Sequence, residues 1–255
     1  MQAPPGTVTE SPAAPPPSPT GRRLRRLSTA LIALGIGVLL YAGVILAWGD
    51  PITWVWTHWQ QRQLQSEFAR DQRQYQNVQV PDGQAAELAW LRQQAVAYEA
   101  QAKEGHAWAR LSVPGIGLTN VVVVQGTQAA TLTDPFGDLG KGPGHYMDTP
   151  APGLGRTVAI AGHRTTFGAW FRHIDAIDDG SWIALQMPYG TFHYRVEYHK
   201  IVSPNGTRAE MIKPVGYERL MLSACNPLYS ATQRWLVYAR AMRVTLPDGS
   251  DVQLQ

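Results

Sequence analysis

The sequence predicts an all-β domain that follows one membrane-spanning helix and a helical linker. Three observations support this organisation. Residues Leu27–Trp48 form an uncharged run, and residues 49–107 are rich in Gln, Arg, Glu and Ala with apolar residues at helical spacing. From Trp108 to Gln255, short β-rich segments alternate with Gly, Pro and Asp turns. This pattern is typical of a β-barrel or a β-sandwich, and periodicity does not distinguish the two.

Charge distribution argues against nucleic-acid binding. The chain has 255 residues, 44% of them hydrophobic, and a formal net charge of +3. Four of the 22 basic residues and one of the 19 acidic residues lie in residues 1–26, so the rest of the chain carries equal numbers of both signs. A protein that binds nucleic acid is expected to concentrate basic residues on its folded domain.

The N-terminal region predicts a tail, an anchor and an orientation. Residues 1–26 are Pro-rich and end in a basic cluster, and we expect them to be a disordered cytoplasmic tail. At about 1.5 Å per residue, Leu27–Trp48 gives about 33 Å of helix, enough to span a hydrocarbon core. The basic cluster predicts that the chain crosses the plasma membrane once, with its N-terminus in the cytoplasm and its C-terminal domain outside the cell. A cleaved signal peptide is the alternative, although its apolar segment is usually shorter. Interfacial tryptophans are expected just beyond the span, at Trp48, Trp54, Trp56 and Trp59.

Residues 49–107 predict two amphipathic helices, interrupted at Pro81-Asp82-Gly83. We expect these helices to hold the C-terminal domain off the bilayer, and one of them to pack on that domain. A mobile stalk is the alternative interpretation. In the following domain, residues 108–255, the predicted strands are Arg110–Val113, Thr119–Gln125, Thr157–Ala161, Trp182–Met187, Thr191–Val202, Arg219–Ala224 and Trp235–Thr245.

Cys225 is the only cysteine, so an exported chain cannot form an intramolecular disulfide. A lone cysteine is commonly a buried structural residue. Cys225, however, follows the apolar run Leu220-Met-Leu and precedes Asn226-Pro227, which places it where a strand ends and a loop begins. Rigid scaffolds often present reactive groups from such positions. The sequence therefore predicts that Cys225 is a nucleophile.

A thiol nucleophile requires a base or a positive neighbour. His163 follows a predicted buried strand and Gly162, the same strand-end position that Cys225 has, and His145 is the second candidate. Arg234 stands at the start of the last long predicted strand and could donate hydrogen bonds to a developing oxyanion. Spacing alone also permits structural roles for both side chains.

Three motifs in this order resemble those of sortases, the cell-wall transpeptidases of Gram-positive bacteria. They are Ala161-Gly-His-Arg-Thr-Thr-Phe-Gly168, Leu220-Met-Leu-Ser-Ala-Cys-Asn-Pro227 and Ser230-Ala-Thr-Gln-Arg-Trp-Leu-Val237. The resemblance covers roughly Trp108 to Leu246, and with Gly142-Pro-Gly-His-Tyr146 it is greatest for class E, the housekeeping type of actinobacteria.

The resemblance implies a closed sortase-type β-barrel with short helices, in which Cys225, His163 and Arg234 meet. It implies cleavage of a C-terminal LPXTG or LAXTG-like sorting signal of a secreted protein between Thr and Gly, through a Cys225 thioester. The acceptor would be a cell-wall amine of lipid II or peptidoglycan. The residues it implies for substrate binding are Ala224, Ser223, His145, Tyr146, Arg164 and Thr165.

One position departs from the family pattern. Sortases usually carry Thr-Leu-X-Thr-Cys, whereas this chain has Met221-Leu-Ser-Ala-Cys225. Ala224 therefore lacks the hydroxyl beside the nucleophile, which predicts an effect on activity and on signal preference. The alternatives are a catalytically impaired, sortase-like binding module and a hydrolysing cysteine peptidase. A pilus-building sortase is less expected, because no apolar run precedes Gln255.

The sequence predicts no cofactor and no metal. It shows no cluster of Asp and Glu typical of a calcium site. His163, His145 and Cys225 could ligate zinc, but their spacing matches no common zinc motif. Gly140-Lys-Gly-Pro-Gly144 lacks the spacing of a phosphate-binding loop.

Overall fold

The computed structural model describes residues 19–48, 51–128, 134 and 136–254. Most of the predicted disordered tail lies outside this part of the chain. The first helix, α1, spans Pro19–Trp48, so the arginine cluster is helical rather than disordered up to residue 26. Proline is favoured at the first helical position, and arginine and leucine are good helix formers, which explains the earlier start.

Helix α1 is the one described helix that is long and apolar enough to cross a membrane. Its candidate span is Arg23–Val44, and none of that segment is buried. Leucines on all sides of the helix, among them Leu31, Leu34 and Leu39, are exposed. A helix that is apolar all round and exposed along its length is typical of a membrane span. This helix fits a membrane-anchored protein.

The second unit, Trp48–Gln255, contains a β-sheet and three helices in its described part. The helices are α2 (Pro51–Arg73), α3 (Gln84–Gln101) and α4 (Gly206–Ile212). The strands are β1 (Ala107–Val113), β2 (Leu118–Gln125), β3 (Gly144–His145), β4 (Thr157–Ala161), β5 (Trp182–Met187), β6 (Gly190–Val202), β7 (Arg219–Asn226), β8 (Gln233–Thr245) and β9 (Asp251–Gln253). All seven predicted strands are present, and the short strands β3 and β9 are additional.

The sheet closes into a barrel, which confirms the predicted fold class. Its strand order is β6-β5-β1-β2-β3-β4-β7-β8-β9, and a further pairing of β6 with β8 joins the two sides. The closed ring therefore has eight strands, with β9 added at the end of β8 beyond β7. Strand β4 pairs in parallel with β7 on one side and antiparallel with β3 on the other.

The barrel interior is the main hydrophobic core. Alternate residues of β7, namely Leu220, Leu222 and Ala224, point into it together with Val237 and Ala239 of β8. The intervening residue Met221 belongs to a separate cluster outside the barrel. Since successive side chains of a strand face opposite sides, this assignment fixes which face each residue around Cys225 occupies.

Helices α2 and α3 pack on the barrel. Leu64 and Phe68 of α2 form a buried cluster with residues of β1 and β2. Leu91, Ala95 and Tyr98 of α3 belong to the main core. The linker predicted over residues 49–107 thus contains two helices packed against the barrel, and the mobile stalk does not describe them. Apolar faces at helical spacing gain more from burial on the barrel than from exposure to water.

Candidate active site

Cys225 and Arg234 lie directly opposite each other on two antiparallel strands. Their Cα atoms are register partners at the end of the β7–β8 pair. The Cys225 thiol is free and partly exposed. The Arg234 guanidinium is also partly exposed, and its Nη1 donates to the carbonyl oxygens of Ala231 and Gln233, both at 2.9 Å. The loop between the strands thereby holds a cation beside the thiol.

His163 reaches the same place from the other side of β7. Strand β4 is parallel to β7, and the register pairs Ala161 with Ser223. One residue further, the Gly162 amide donates to the Ser223 carbonyl at 3.0 Å. Continuing this register by two residues from the Ala161 pair brings His163 level with Cys225. Because both strands are parallel, their carboxyl ends carry the histidine and the cysteine to one edge of the sheet.

Close packing around the preceding glycine fixes the position of the backbone at His163. A Cβ atom on Gly162 would lie 2.6–3.0 Å from three atoms of the Phe171 ring, so only glycine fits there without displacing that ring. The Phe171 amide donates to the His163 carbonyl at 3.0 Å, which closes the loop. The His163 ring lies 5.2 Å from the Phe167 ring. Burial lowers the pKa of His163 below its ordinary value of 6.5, because desolvation disfavours the imidazolium.

Arg164 ties the histidine loop to the cysteine strand. Its buried guanidinium forms an ion pair with Asp175 at 2.7 Å and donates to the Arg172 carbonyl at 3.2 Å. A third contact, to the Cys225 carbonyl, is longer at 3.4 Å. With these partners Arg164 positions the backbone beside the nucleophile. A direct contact of this side chain with a substrate has no support in its buried position.

Tyr146 and Ser223 stand on the outer face of the barrel, as Cys225 does. Tyr146 packs beside the cluster of Met211 of α4 and Met221. Burial raises the pKa of Tyr146, the nearby Arg234 charge opposes this, and a Cys225 thiolate adds to it. The phenol is therefore electrostatically connected to both groups. The Ser223 Oγ is buried and has no hydrogen-bond partner among the described residues.

Ala224 faces away from the thiol. Its methyl group packs in the barrel core, and the residue is 3% exposed. Strand alternation puts Cys225 on the outer face and Ala224 on the inner face, so Ala224 has no surface to offer to a peptide. The expected substrate contact at this position is therefore not supported. Thr165, in contrast, is partly exposed in the loop after His163.

His145 is a core residue in this structure. Its ring stacks on Trp108 at 3.7 Å, and its two nitrogens lie 2.7 Å from Gln125 Oε1 and 3.0 Å from Thr149 Oγ1. Burial lowers the pKa of His145 to about 3, so the ring is neutral. Because both ring nitrogens have partners and the ring is buried, no atom of His145 is accessible for the expected contact with a substrate. The Thr149 hydroxyl donates to the Tyr146 carbonyl at 2.8 Å, so the histidine supports the Tyr146 segment indirectly.

Several residues of the site gave no sequence signal. Asp175 binds Arg164 from a short helical turn eleven positions later, and Arg172 donates to the Tyr229 hydroxyl at 3.2 Å across the two loops that flank Cys225. Side chains that meet only through tertiary folding leave no periodic pattern. Within the described ranges, no three His, Cys, Asp or Glu side chains are grouped as metal ligands would be.

Comparison with known families agrees with this architecture. The family model named "Sortase domain" matches residues 111–242, about half of the chain and most of the barrel. The chain belongs to the sortase family. The three motif segments that carry Cys225, His163 and Arg234 all lie inside the matched region.

Two similar relatives are themselves named as sortases. Sortase D of Bacillus subtilis is 31% identical over 144 residues, which cover 55% of this chain and 66% of the relative. Sortase SrtE2 of Streptomyces coelicolor is 26% identical over 151 residues, covering 54% and 57%. The chain thus spans less than two thirds of the length of either relative.

Solved sortase structures share the fold. The SrtA sortase from Actinomyces oris is 27% identical with a TM-score of 0.50, and the match covers 59% of this chain and 87% of that one. A Clostridium perfringens Sortase D5 transpeptidase gives a TM-score of 0.53 at 20% identity, covering 71% and 98%. At that identity the second likeness concerns the fold alone.

Proposed function

We propose that this sortase is a membrane-anchored cysteine transpeptidase. It cleaves the C-terminal sorting signal of a secreted protein between Thr and Gly and joins the new Thr carboxyl group to a cell-wall amine. The observation that carries the proposal is the meeting of three strand ends. Cys225 is the register partner of Arg234, and His163 follows two residues after Ala161, the last residue of the strand that runs parallel to the Cys225 strand.

The first step forms a thioester. The Cys225 thiolate attacks the Thr carbonyl carbon, a C–S bond forms, and the carbonyl oxygen takes up negative charge. The His163 imidazolium donates its proton to the glycine nitrogen as the C–N bond breaks. The Arg234 guanidinium stabilises the oxyanion. The two hydrogen bonds that Arg234 makes in the structure involve Nη1, and a guanidinium has five N–H donors.

The second step transfers the acyl group. An amine attacks the thioester, its proton passes to the neutral His163, and Cys225 leaves as a thiolate. Because burial lowers the pKa of His163, the imidazolium that the first step needs becomes scarcer as the pH rises above that pKa. The rate of thioester formation therefore depends on the fraction of enzyme in which Cys225 is a thiolate while His163 is an imidazolium. The two groups titrate as a coupled pair.

The proposed setting is the outer surface of the plasma membrane. The candidate span follows Arg22 and has Arg23, Arg25 and Arg26 among its first four residues, which favours a cytoplasmic N-terminus. A catalytic unit on the far side can meet secreted proteins with LPXTG or LAXTG signals, and the amine of lipid II or peptidoglycan is the proposed acceptor. Class E, suggested by the motifs, is part of this proposal. Tyr146, on the outer face, and Thr165, in the histidine loop, are the proposed substrate contacts, whereas Ser223 is buried at 1% exposure and offers no accessible atom.

The test is a ligation assay with the full chain in detergent micelles. Fluorescent LPXTG and LAXTG peptides are incubated with and without a peptidoglycan-type amine acceptor, and products are identified by mass spectrometry. We expect amine-dependent ligation that disappears in Cys225→Ala. Arg208→Ala, an exposed helix substitution, serves as the matched control.

Three other results would contradict the proposal in different ways. Hydrolysis that is insensitive to the amine would identify a cysteine peptidase. Equal inactivity of wild type and Cys225→Ala on both peptides and on a wider signal library would identify a binding module. Ligation that persists in Cys225→Ala would remove the thiol from the mechanism.

A further inference from the structure

The start of helix α2 carries an exposed aromatic and aliphatic face. Trp54 is 51% exposed, Val55 62% and Trp59 49%. Large apolar side chains so exposed on adjacent helical turns are costly in water and often mark an interaction surface. The sequence expectation of interfacial tryptophans is thus refined. Trp56 stacks on Phe136 at 4.6 Å and belongs to the folded unit instead.

The opposite face of the same turns is fixed to the barrel. The Thr57 hydroxyl donates to the Gly140 carbonyl at 2.8 Å. The Gln61 side chain donates to the Val122 carbonyl and accepts from the Val122 amide, both at 2.8 Å, and it donates to the Lys141 carbonyl at 3.0 Å. These contacts prevent the helix from rotating its apolar face inwards. Trp54, Val55 and Trp59 therefore stay on the surface of the folded unit.

The charges of this segment suit an anionic or neutral lipid surface. Residues 51–66 contain no carboxylate and include Arg62 and His58. Along the exposed face, the apolar residues Trp54 to Trp59 give way to Arg62 and Ser66. A helix rises about 1.5 Å per residue, so the apolar part is about 7.5 Å long.

We propose that Trp54, Val55 and Trp59, the α2 apolar patch, seat the catalytic unit on the outer interface of the bilayer. The bilayer is the proposed partner of the patch because only nine residues separate Trp54 from Val44, the last residue of the candidate span. The inference rests on the membrane anchoring proposed above and is independent of the transpeptidase chemistry.

Seating the patch on the bilayer brings the histidine loop towards the membrane surface. The Phe167 amide donates to Thr53 Oγ1 at 2.9 Å, and the His58 ring lies 5.2 Å from the Trp170 ring. Phe167 in turn neighbours His163. The turn that carries the patch thus contacts the loop that carries the acid/base residue. The predicted linker holds the site close to the bilayer instead of away from it.

The experiment measures membrane depth at single positions of the full chain. In a Cys225→Ala background, one cysteine is introduced by Val55→Cys, spin-labelled, and reconstituted in nanodiscs of phosphatidylcholine and phosphatidylglycerol. Collision with lipid-soluble oxygen and with a water-soluble nickel chelate is read by electron paramagnetic resonance. Val96→Cys is the matched control, because Val96 is an exposed helical valine of the same unit at 57% exposure. Leu39→Cys reports on the span.

We expect the label at residue 55 to show a severalfold higher ratio of oxygen to nickel collisions than the label at residue 96. Replacing Trp54 and Trp59 with Gln should lower that ratio. Equal, water-like ratios at 55 and 96, with the label at 39 deep in the bilayer, would overturn the patch and leave the anchor intact. A water-exposed label at 39 would overturn the anchoring itself and the patch with it.

Discussion

Removing residues 1–107 should prevent the barrel from folding, although those residues precede the sortase motifs. The truncated chain 108–255 lacks α2 and α3 and begins inside β1. The same region was predicted to be a linker. Its helices instead contribute side chains to both the main core and the cluster on β1 and β2.

The magnitude follows from the buried side chains that would be lost. Leu64, Phe68, Leu91 and Tyr98 are all buried in the intact unit. At about 1.5–3 kcal/mol for each large apolar side chain, their burial contributes roughly 6–12 kcal/mol. That is comparable with a whole domain's stability of about 5–15 kcal/mol. The truncation also exposes Trp108, whose carbonyl accepts a hydrogen bond from the Tyr98 hydroxyl at 2.7 Å.

Circular dichroism and gel filtration of chains 51–255 and 108–255 provide the assay. We expect cooperative thermal unfolding only for 51–255. Within that chain, Phe68→Ala should cost about 3–5 kcal/mol, because Phe68 is fully buried. Val96→Ala, at an exposed site, should change stability by about 0.5 kcal/mol or less.

The reasoning is refuted if 108–255 is monomeric and unfolds cooperatively at the same midpoint as 51–255. Equal losses for Phe68→Ala and Val96→Ala would also refute it, because the argument depends on the difference in burial between these two side chains.

Three further predictions concern ionisation and positioning. Because the active pair combines a Cys225 thiolate with a His163 imidazolium and titrates as a unit, the lower of the two midpoints in the kcat/KM profile should lie below pH 6.5. Phe167→Ala, which exposes the His163 ring, should move that midpoint upwards, and no shift would exclude burial as the cause. Arg164→Lys keeps the charge but cannot reproduce the planar contacts of the guanidinium with Asp175 and the Arg172 carbonyl. We therefore expect kcat to fall more than KM changes. A larger change in KM than in kcat would indicate that Arg164 binds substrate instead. Burial raises the pKa of Glu218 to about 7 from 4.5, so the folded state holds the proton more tightly. Its contribution is fully present below pH 4.5 and is lost as the pH rises to about 7, and urea unfolding should show this decline flattened in Glu218→Gln.

Much of the fold could be predicted because it depends on local patterns. The uncharged run of α1, the interruption near Pro81 and the bounds of Thr157–Ala161 and Trp182–Met187 all follow from residue types over short windows. The strand-end positions of Cys225 and His163 were predicted in the same way. The two-residue strand β3 was missed, because it exists only through its neighbours β2 and β4.

The tertiary structure alone decided which predicted site residues are accessible. The Gly142-Pro-Gly-His-Tyr146 motif contains both a core histidine stacked on Trp108 and a tyrosine on the outer face. The strand that carries Cys225 turns Ala224 inwards and Ser223 outwards. Successive side chains of a strand alternate between its two faces, but only the closure of the barrel determines which face is the interior.

The sequence by itself determined the long apolar helix, the order of the β-strands along the chain and the three chemical groups at strand ends, since each depends on nearby residues. Tertiary folding decided that β4 and β7 are parallel neighbours, that Arg164 meets Asp175, and that α2 docks with Trp54 and Trp59 outwards. These features depend on contacts between distant segments. Such contacts form because burying the shared core offsets the loss of chain entropy, and no local pattern encodes which segments will meet.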